Sequence, residues 1–256
     1  MEILRRVALL VTLAFGPFVA VQSHGAELVV VLTPKSVPFS YSDDQGRLVG
    51  FNVDIANAIC RELARSCRLE VMPFPEIIPA VSGRGADLGL GNFLRTPERE
   101  ALVRFSAPYW RSTSVFVGRP GSPAGENGES VPDGRICVIA GSMQAKYLDA
   151  RIGDRAAGVI DVAANQDLLD RLQDETCASA LLPSMQALAF LRSDEGRPFA
   201  FLAAPLVEQG LGGTVHIAIR PDDPGLLESV DRAIATLIRS GEHERIARKY
   251  FPFNIL

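Results

Sequence analysis

The chain has 256 residues, 47% hydrophobic and 22% charged, with a formal net charge of −4. That length holds one large domain or two small ones, and the composition is that of an ordinary globular protein. The acidic balance excludes the basic footprint of a nucleic-acid binder, and three histidines with no Cys-x-x-Cys pair give no metal-ligand spacing and point to no cofactor.

The N-terminal stretch MEILRRVALLVTLAFGPFVAVQSHGAELVVVL carries Arg5 and Arg6, then an apolar run from Val7 to Ala20 too short to span a bilayer comfortably. Small residues suited to cleavage follow, so residues 1–26 read as a secretory signal peptide rather than a membrane anchor. The expectation is an exported, periplasmic protein. Export makes the four cysteines informative: an even count in an oxidising compartment predicts two disulfides, with buried free thiols as the alternative. Cys60 and Cys67 close a short loop, whereas Cys137 and Cys177 lie far apart.

Glu27 to Pro34 reads as a buried strand, and Asp44-Gln-Gly46 marks a polar, hairpin-like turn. An amphipathic helix follows from Phe51, with Asn52 as its cap and Val53, Ile55, Ala56, Ile59, Cys60 and Leu63 at helical spacing. Arg68 to Phe74 is the next strand, Pro75 to Gly83 a short helix and Ala86 to Gly91 a third strand. This alternation predicts a parallel sheet with helical crossovers. Ligands of such sheets bind outside the carboxyl ends of the strands.

At one of those ends stands GLGNFLRTPERE, Gly89 to Glu100. Thr96 reads as an N-cap and Pro97 as the first helical residue, which puts Arg99 in the first turn. A cation there opposes the helix dipole, at a cost of roughly some tenths of a kcal/mol. Either Glu98 and Glu100 neutralise it, or an anion arrives from outside.

Phe105 to Gly121 is extended and apolar, and 122–134 breaks the pattern with Gly, Pro and polar residues. A second α/β alternation follows, with strands over 135–141, 158–163 and 178–184 and helices over 142–152, 165–174 and 185–192. A strand over 211–220 precedes two terminal helices. In the first of these Leu226, Leu227, Val230, Ile234, Leu237 and Ile238 form the apolar stripe and Gly241 is the stop.

Several segments together resemble the bacterial periplasmic solute-binding proteins of polar amino-acid ABC transporters (solute-binding protein family 3). They are PFSYSDDQGRLVGFNVDIANAICREL, EIIPAVSGRGADLGLGNFLRTPEREALVRFSAPYW, GRICVIAGSMQAKYL and AIRPDDPGLLESVDRAIATLIRSGEHERIARKYFPFNI. The resemblance covers nearly the whole chain after the signal peptide. It is most specific in Thr-Pro-Glu-Arg followed by Phe-Ser-x-Pro-Tyr. It implies the type II periplasmic binding fold, an α/β architecture of two lobes joined by two crossing strands: 27–113 and 212–256 in the first lobe, 114–211 in the second. A small molecule binds between the lobes of a monomer, and hinge closure presents the closed form to an ABC permease in the inner membrane. The spacing of Cys60 and Cys67 also resembles a disulfide of the histidine-binding members.

By the same resemblance, Arg99 is the residue that holds the ligand α-carboxylate, in bidentate fashion. Phe74 matches an apolar or aromatic wall. Ser36 stands where an aromatic residue is common, Leu94 where a hydroxyl usually donates, and Met143 after Ser142 where a second hydroxyl is usual. Asn92 retains an amide that can donate. Pro183 takes the position of the acid that pairs with the ligand ammonium, and Asp174 and Glu175 fall in the preceding turn. Burying an ammonium unpaired costs several kcal/mol, so the expected ligand is a small organic anion rather than a standard α-amino acid, in a pocket of apolar character to which Trp110 also contributes. Two alternatives stand beside transport. One is an accessory binding protein for a periplasmic dehydrogenase or sensor kinase. The other is an enzyme resembling the cyclohexadienyl dehydratases, which needs a carboxylate acid or base, with Glu76 and Glu208 the loosely placed candidates. The transport reading involves no catalysis.

Overall fold

The computed structural model describes residues 27–121, 134–152, 158–208 and 210–256. The signal peptide over 1–26 and most of the break over 122–134 lie outside them.

Two sheets organise the chain. The first contains β1 (Leu28–Leu32), β4 (Cys67–Val71), β5 (Leu88–Leu94), β6 (Arg104–Phe105), β7 (Trp110–Ser112) and β13 (Gly213–Ile219). Its order is β4-β1-β5-β13-β6, with β7 also on β13. β1 runs parallel to β4 and β5, and β13 closes the sheet antiparallel to β5. The second sheet has the order β10-β9-β11-β8-β12, built from β8 (Ser114–Gly118), β9 (Ile136–Ile139), β10 (Val159–Val162), β11 (Ser179–Pro183) and β12 (Ala200–Phe201). β9 is parallel to β10 and β11, and β8 is antiparallel to β11. A small hairpin of β2 (Tyr41–Ser42) and β3 (Leu48–Val49) forms around the turn at Asp44 to Gly46.

The apolar stretch after Phe105 is therefore not one strand. β7 pairs in the first sheet and β8 in the second, with Thr113 between them. The chain returns near Leu206, which bridges to Ser114, before β13 rejoins the first sheet. Each sheet buries both faces. On the first, α1 (Phe51–Glu62) and the C-terminal helices, here α7 (Pro224–Arg239) and α8 (Glu242–Ala247), cover one side, while α2 (Phe74–Ser82) covers the other with Ile77, Ile78 and Val81. Two further clusters flank the second sheet. Fully burying one such aliphatic side chain contributes about 1.5–3 kcal/mol, so these faces hold each lobe together.

Three local expectations are corrected. Asn52 is not the cap of α1: Gly50 is, without a side-chain bond, at a backbone φ of 130°. Asn52 is instead fully buried inside the first turn, because its amide has buried partners on neighbouring elements. The strand before Phe74 stops at Val71, and Phe74 opens α2 with Pro75 behind it in the position that tolerates a missing N–H. In α7 the apolar stripe loses Ile238, which is 38% exposed; Asp223, which the sequence did not single out, caps this helix by accepting from Leu226 N at 2.9 Å.

Both disulfides are present. Cys60 on α1 joins Cys67 at the start of β4, and Cys137 on β9 joins Cys177 just ahead of the neighbouring β11. The second closes a 40-residue separation and stabilises by about 4 kcal/mol in the chain-entropy picture.

Candidate ligand-binding site

Parallel strands deliver their following residues to the same edge. Thr33 after β1, Phe74 after β4, Asn92 and Leu94 at the end of β5, Ser142 and Met143 after β9, Asn165 after β10 and Pro183 at the end of β11 all line one cavity between the sheets. Arg99 and Ser36 complete the eight positions that the sequence assigns to ligand contact, and all eight line this cavity. Trp110 does not: it is 1% exposed and stacks on Phe39 with ring centroids 4.8 Å apart, inside the first-lobe core. Glu76 and Glu208 are exposed and outside the lining. Asp174 caps the end of α5 (Asn165–Gln173) and accepts from Thr176 N, while Glu175 pairs with Arg119, so neither reaches the cavity.

Arg99 sits on α3 (Pro97–Glu100), whose cap Thr96 accepts from Arg99 N at 3.3 Å. Neither adjacent glutamate neutralises it as a partner. Glu98 accepts from Lys146 Nζ at 2.7 Å across the cleft, and Glu100 pairs with Arg95. The hydrogen bond from Lys146 is the main reason the Glu98 carboxyl is held at about 2. Arg99 makes no ion pair among the described residues. Its guanidinium donates to Leu94 O at 2.9 Å and to Gly141 O at 3.1 Å, leaving further donors of its five free. It stands over the Phe74 and Phe93 rings, 5.5 and 5.3 Å from their centroids. Burial pushes its pKa down to about 10, with a partial offset from the Glu98 charge, so it remains a cation at neutral pH. No Asp or Glu lines the cavity among the described residues, and Arg99 is its one charged side chain.

Asn92 is held in a directional network. It adopts the left-handed backbone at φ 60°, where β5 carries extra residues opposite β13 between His216 and Ala218; such bulges re-aim a side chain. Asn52 Nδ2 lies 3.4 Å from Leu90 O, which can only accept, and donates to Asn92 Oδ1 at 2.9 Å. Tyr109 donates to Asn52 Oδ1 at 3.0 Å, and burial pushes its phenol pKa up, so it keeps the proton. With Asn92 Oδ1 so occupied, the Asn92 NH2 is the end free to serve the cavity as a donor.

The second-lobe wall is different. Ser142 caps α4 (Met143–Arg151), its hydroxyl accepting from Ala145 N at 3.0 Å. Gln186 on α6 (Ser184–Leu191) donates across the cleft to Ser36 Oγ at 2.7 Å. Pro183 ends β11, and no Asp or Glu joins it in the cavity lining among the described residues. Gln144, Asn165 and Gln186 line the cavity without having been singled out from sequence. Each lies at or near the start of a helix that follows a strand of the second sheet, and the strand-end rule could have found them.

A family profile described as "Bacterial extracellular solute-binding proteins, family 3" matches residues 28–253. The lysine/arginine/ornithine-binding periplasmic protein of Escherichia coli strain K12 is 29% identical over 267 aligned positions, covering 98% of this chain and 99% of that protein. The L-arginine-binding protein of Pseudomonas aeruginosa is 30% identical, with 85% of each chain covered. Among solved structures, an ancestral arginine-binding protein bound to arginine superposes with a TM-score of 0.81 at 24% identity, over 88% of this chain and 98% of that one. At that identity the superposition speaks for the fold alone. Among the described residues no helix is long and apolar enough to cross a membrane.

Proposed function

This chain belongs to the bacterial extracellular solute-binding proteins, family 3, and from that premise we propose that it captures a small organic carboxylate lacking an α-ammonium. Capture is by closure of two lobes, and the closed form is delivered by the monomer to an ABC permease. The observation that carries this reading is the charge inventory of the cavity: among the described residues, one desolvated arginine with no ion pair, and no carboxylate in the wall. A carboxylate on Arg99 gains charge-assisted, bidentate hydrogen bonds beside the amide donor of Asn92. The relatives' basic amino acids carry two cationic groups, and the described wall offers neither an acid. Each would be buried unpaired, at several kcal/mol.

The lobes divide at 113/114 and 211/212, a reading supported by the change of sheet at Thr113 and after Leu206. We read the site as one for binding; the two carboxylates that the sequence offers to an acid–base enzyme, Glu76 and Glu208, are not among the residues that line the cavity. The test is a thermal-shift screen of the mature protein with short monocarboxylates, aromatic acids and the standard L-amino acids. A ligand at 100 times its Kd stabilises by about 2.7 kcal/mol. Carboxylates without an amine should shift the transition, and Arg99→Ala should remove the shift while leaving the unliganded Tm close to wild type. Tight binding of L-arginine or L-lysine sinks the reading.

A further inference from the structure

The second-lobe wall holds a polar group that the carboxylate clamp does not use. Asn165 opens α5 and is 5% exposed, yet its Oδ1 has no hydrogen-bond partner among the described residues, although the residue lines the cavity. Buried polar atoms are otherwise satisfied in most proteins, and an exception asks for a cause. The residue before it, Ala164, gives α5 no side-chain cap. The first amides of a helix have no acceptor within it, and Ala163 and Ala164 line the cavity beside Asn165. An acceptor lacking a donor thus stands next to a helix start that no side chain caps.

We propose that Asn165 and the start of α5 form a second recognition pole for a neutral group that both donates and accepts, a hydroxyl or a primary carboxamide, at the far end of the ligand. This rests on the carboxylate clamp at Arg99. A distal ammonium would satisfy Asn165 Oδ1 but meet the positive end of the helix. A second carboxylate would suit the helix end but confront the Oδ1 lone pairs. The only acid in the first turn, Asp167, is engaged by Lys35 at 3.8 Å and does not line the cavity.

The experiment is calorimetric titration of the mature protein with matched straight-chain monocarboxylates ending in methyl, hydroxyl, carboxamide, ammonium or carboxylate. In wild type the hydroxyl or carboxamide acids should bind about tenfold tighter than the methyl acids, the effect of pairing one buried polar group. Asn165→Leu should erase that preference and leave the methyl acids within about twofold; Asn165→Ala gives the same comparison if leucine prevents folding. Equal affinities in wild type, a preference for the ammonium or dicarboxylate probes, or a preference that survives both variants overturns the second pole alone. Binding of no carboxylate, or binding indifferent to Arg99→Ala, overturns the clamp and the second pole with it.

Discussion

The two walls of the cleft are built by the same strand-end geometry but carry different chemistry. The first-lobe wall presents a cation and an oriented amide: Arg99 over two phenylalanine rings, and Asn92 held by Asn52 and Tyr109. The second-lobe wall presents Met143, Pro183 and neutral polar groups, with no charged side chain in the lining among the described residues. Among the described residues, the one charged side chain in the cavity lining belongs to the first lobe. On the proposed reading, a carboxylate is held by the first lobe, and the second adds shape and neutral hydrogen bonds rather than a countercharge.

The largest expected break of that asymmetry is Arg99→Ala. Truncating one partner of a desolvated, hydrogen-bonded charge pair costs about 2–5 kcal/mol, so the Kd for a bound carboxylate should rise by about two orders of magnitude. Calorimetry checks it, and a change under tenfold would show that the carboxylate sits elsewhere. Next comes Pro183→Asp, which places an acid on the neutral wall. Pro183 has φ −58° and stands at the N-cap of α6 without a side-chain cap bond, a position where aspartate is favoured. The variant should gain affinity for L-amino acids by at least about tenfold and lose a similar factor for plain carboxylates, the sign expected when a buried ammonium acquires a partner. No gain for any amino acid would falsify the assignment of Pro183 to the ammonium position.

Much of this was legible in the sequence, for reasons that differ by residue. Arg99 was readable because its cap, Thr96 and Pro97, is a local signal and because a cation in a first turn is out of place. The alternation of strands and helices disclosed both sheets, since each element is set by its own periodicity. What depends on contacts distant along the chain was not readable. Asn52 looked like a cap because a polar residue at a helix start serves that purpose locally, and its true partners lie 38 to 57 positions away. Trp110 looked like a cleft aromatic, but Phe39 stacks on it in the core. The point at which the chain changes sheet, at Thr113, lies within one continuous apolar stretch that periodicity alone cannot divide.

A smaller effect sharpens the first wall from behind. Tyr109→Phe removes the donor to Asn52 Oδ1 and leaves that buried oxygen unpaired, which costs about 1–3 kcal/mol of stability. Freed of Tyr109, Asn52 no longer holds Asn92 in one orientation, so carboxylate affinity should fall by about threefold to tenfold through the same term. Denaturant unfolding and calorimetry on one preparation separate the two. A stability loss with unchanged affinity would mean that Asn92 takes its orientation without the network.

The smallest effect concerns the rim, where the charged first lobe does reach across. Glu98 accepts from Lys146 of the second lobe at 2.7 Å, and both side chains are mostly exposed, 66% and 60%. An exposed pair is screened by salt and held against side-chain entropy, so Lys146→Ala should change ligand affinity by less than about twofold at physiological salt. Its pH signature follows from the sign of the Glu98 shift. The carboxyl is lowered from 4.5 to about 2, chiefly by the hydrogen bond from Lys146. The contribution of the pair is therefore fully present above the unpaired value of 4.5 and is lost as pH falls through about 2. Between pH 5 and 8 the rim should contribute no pH dependence to ligand affinity, while raising salt should weaken wild type slightly and the variant less. A titration in that range whose slope vanishes in Lys146→Ala would show that closure leans on the rim pair, and would move the second lobe's part in binding from neutral contacts to charge.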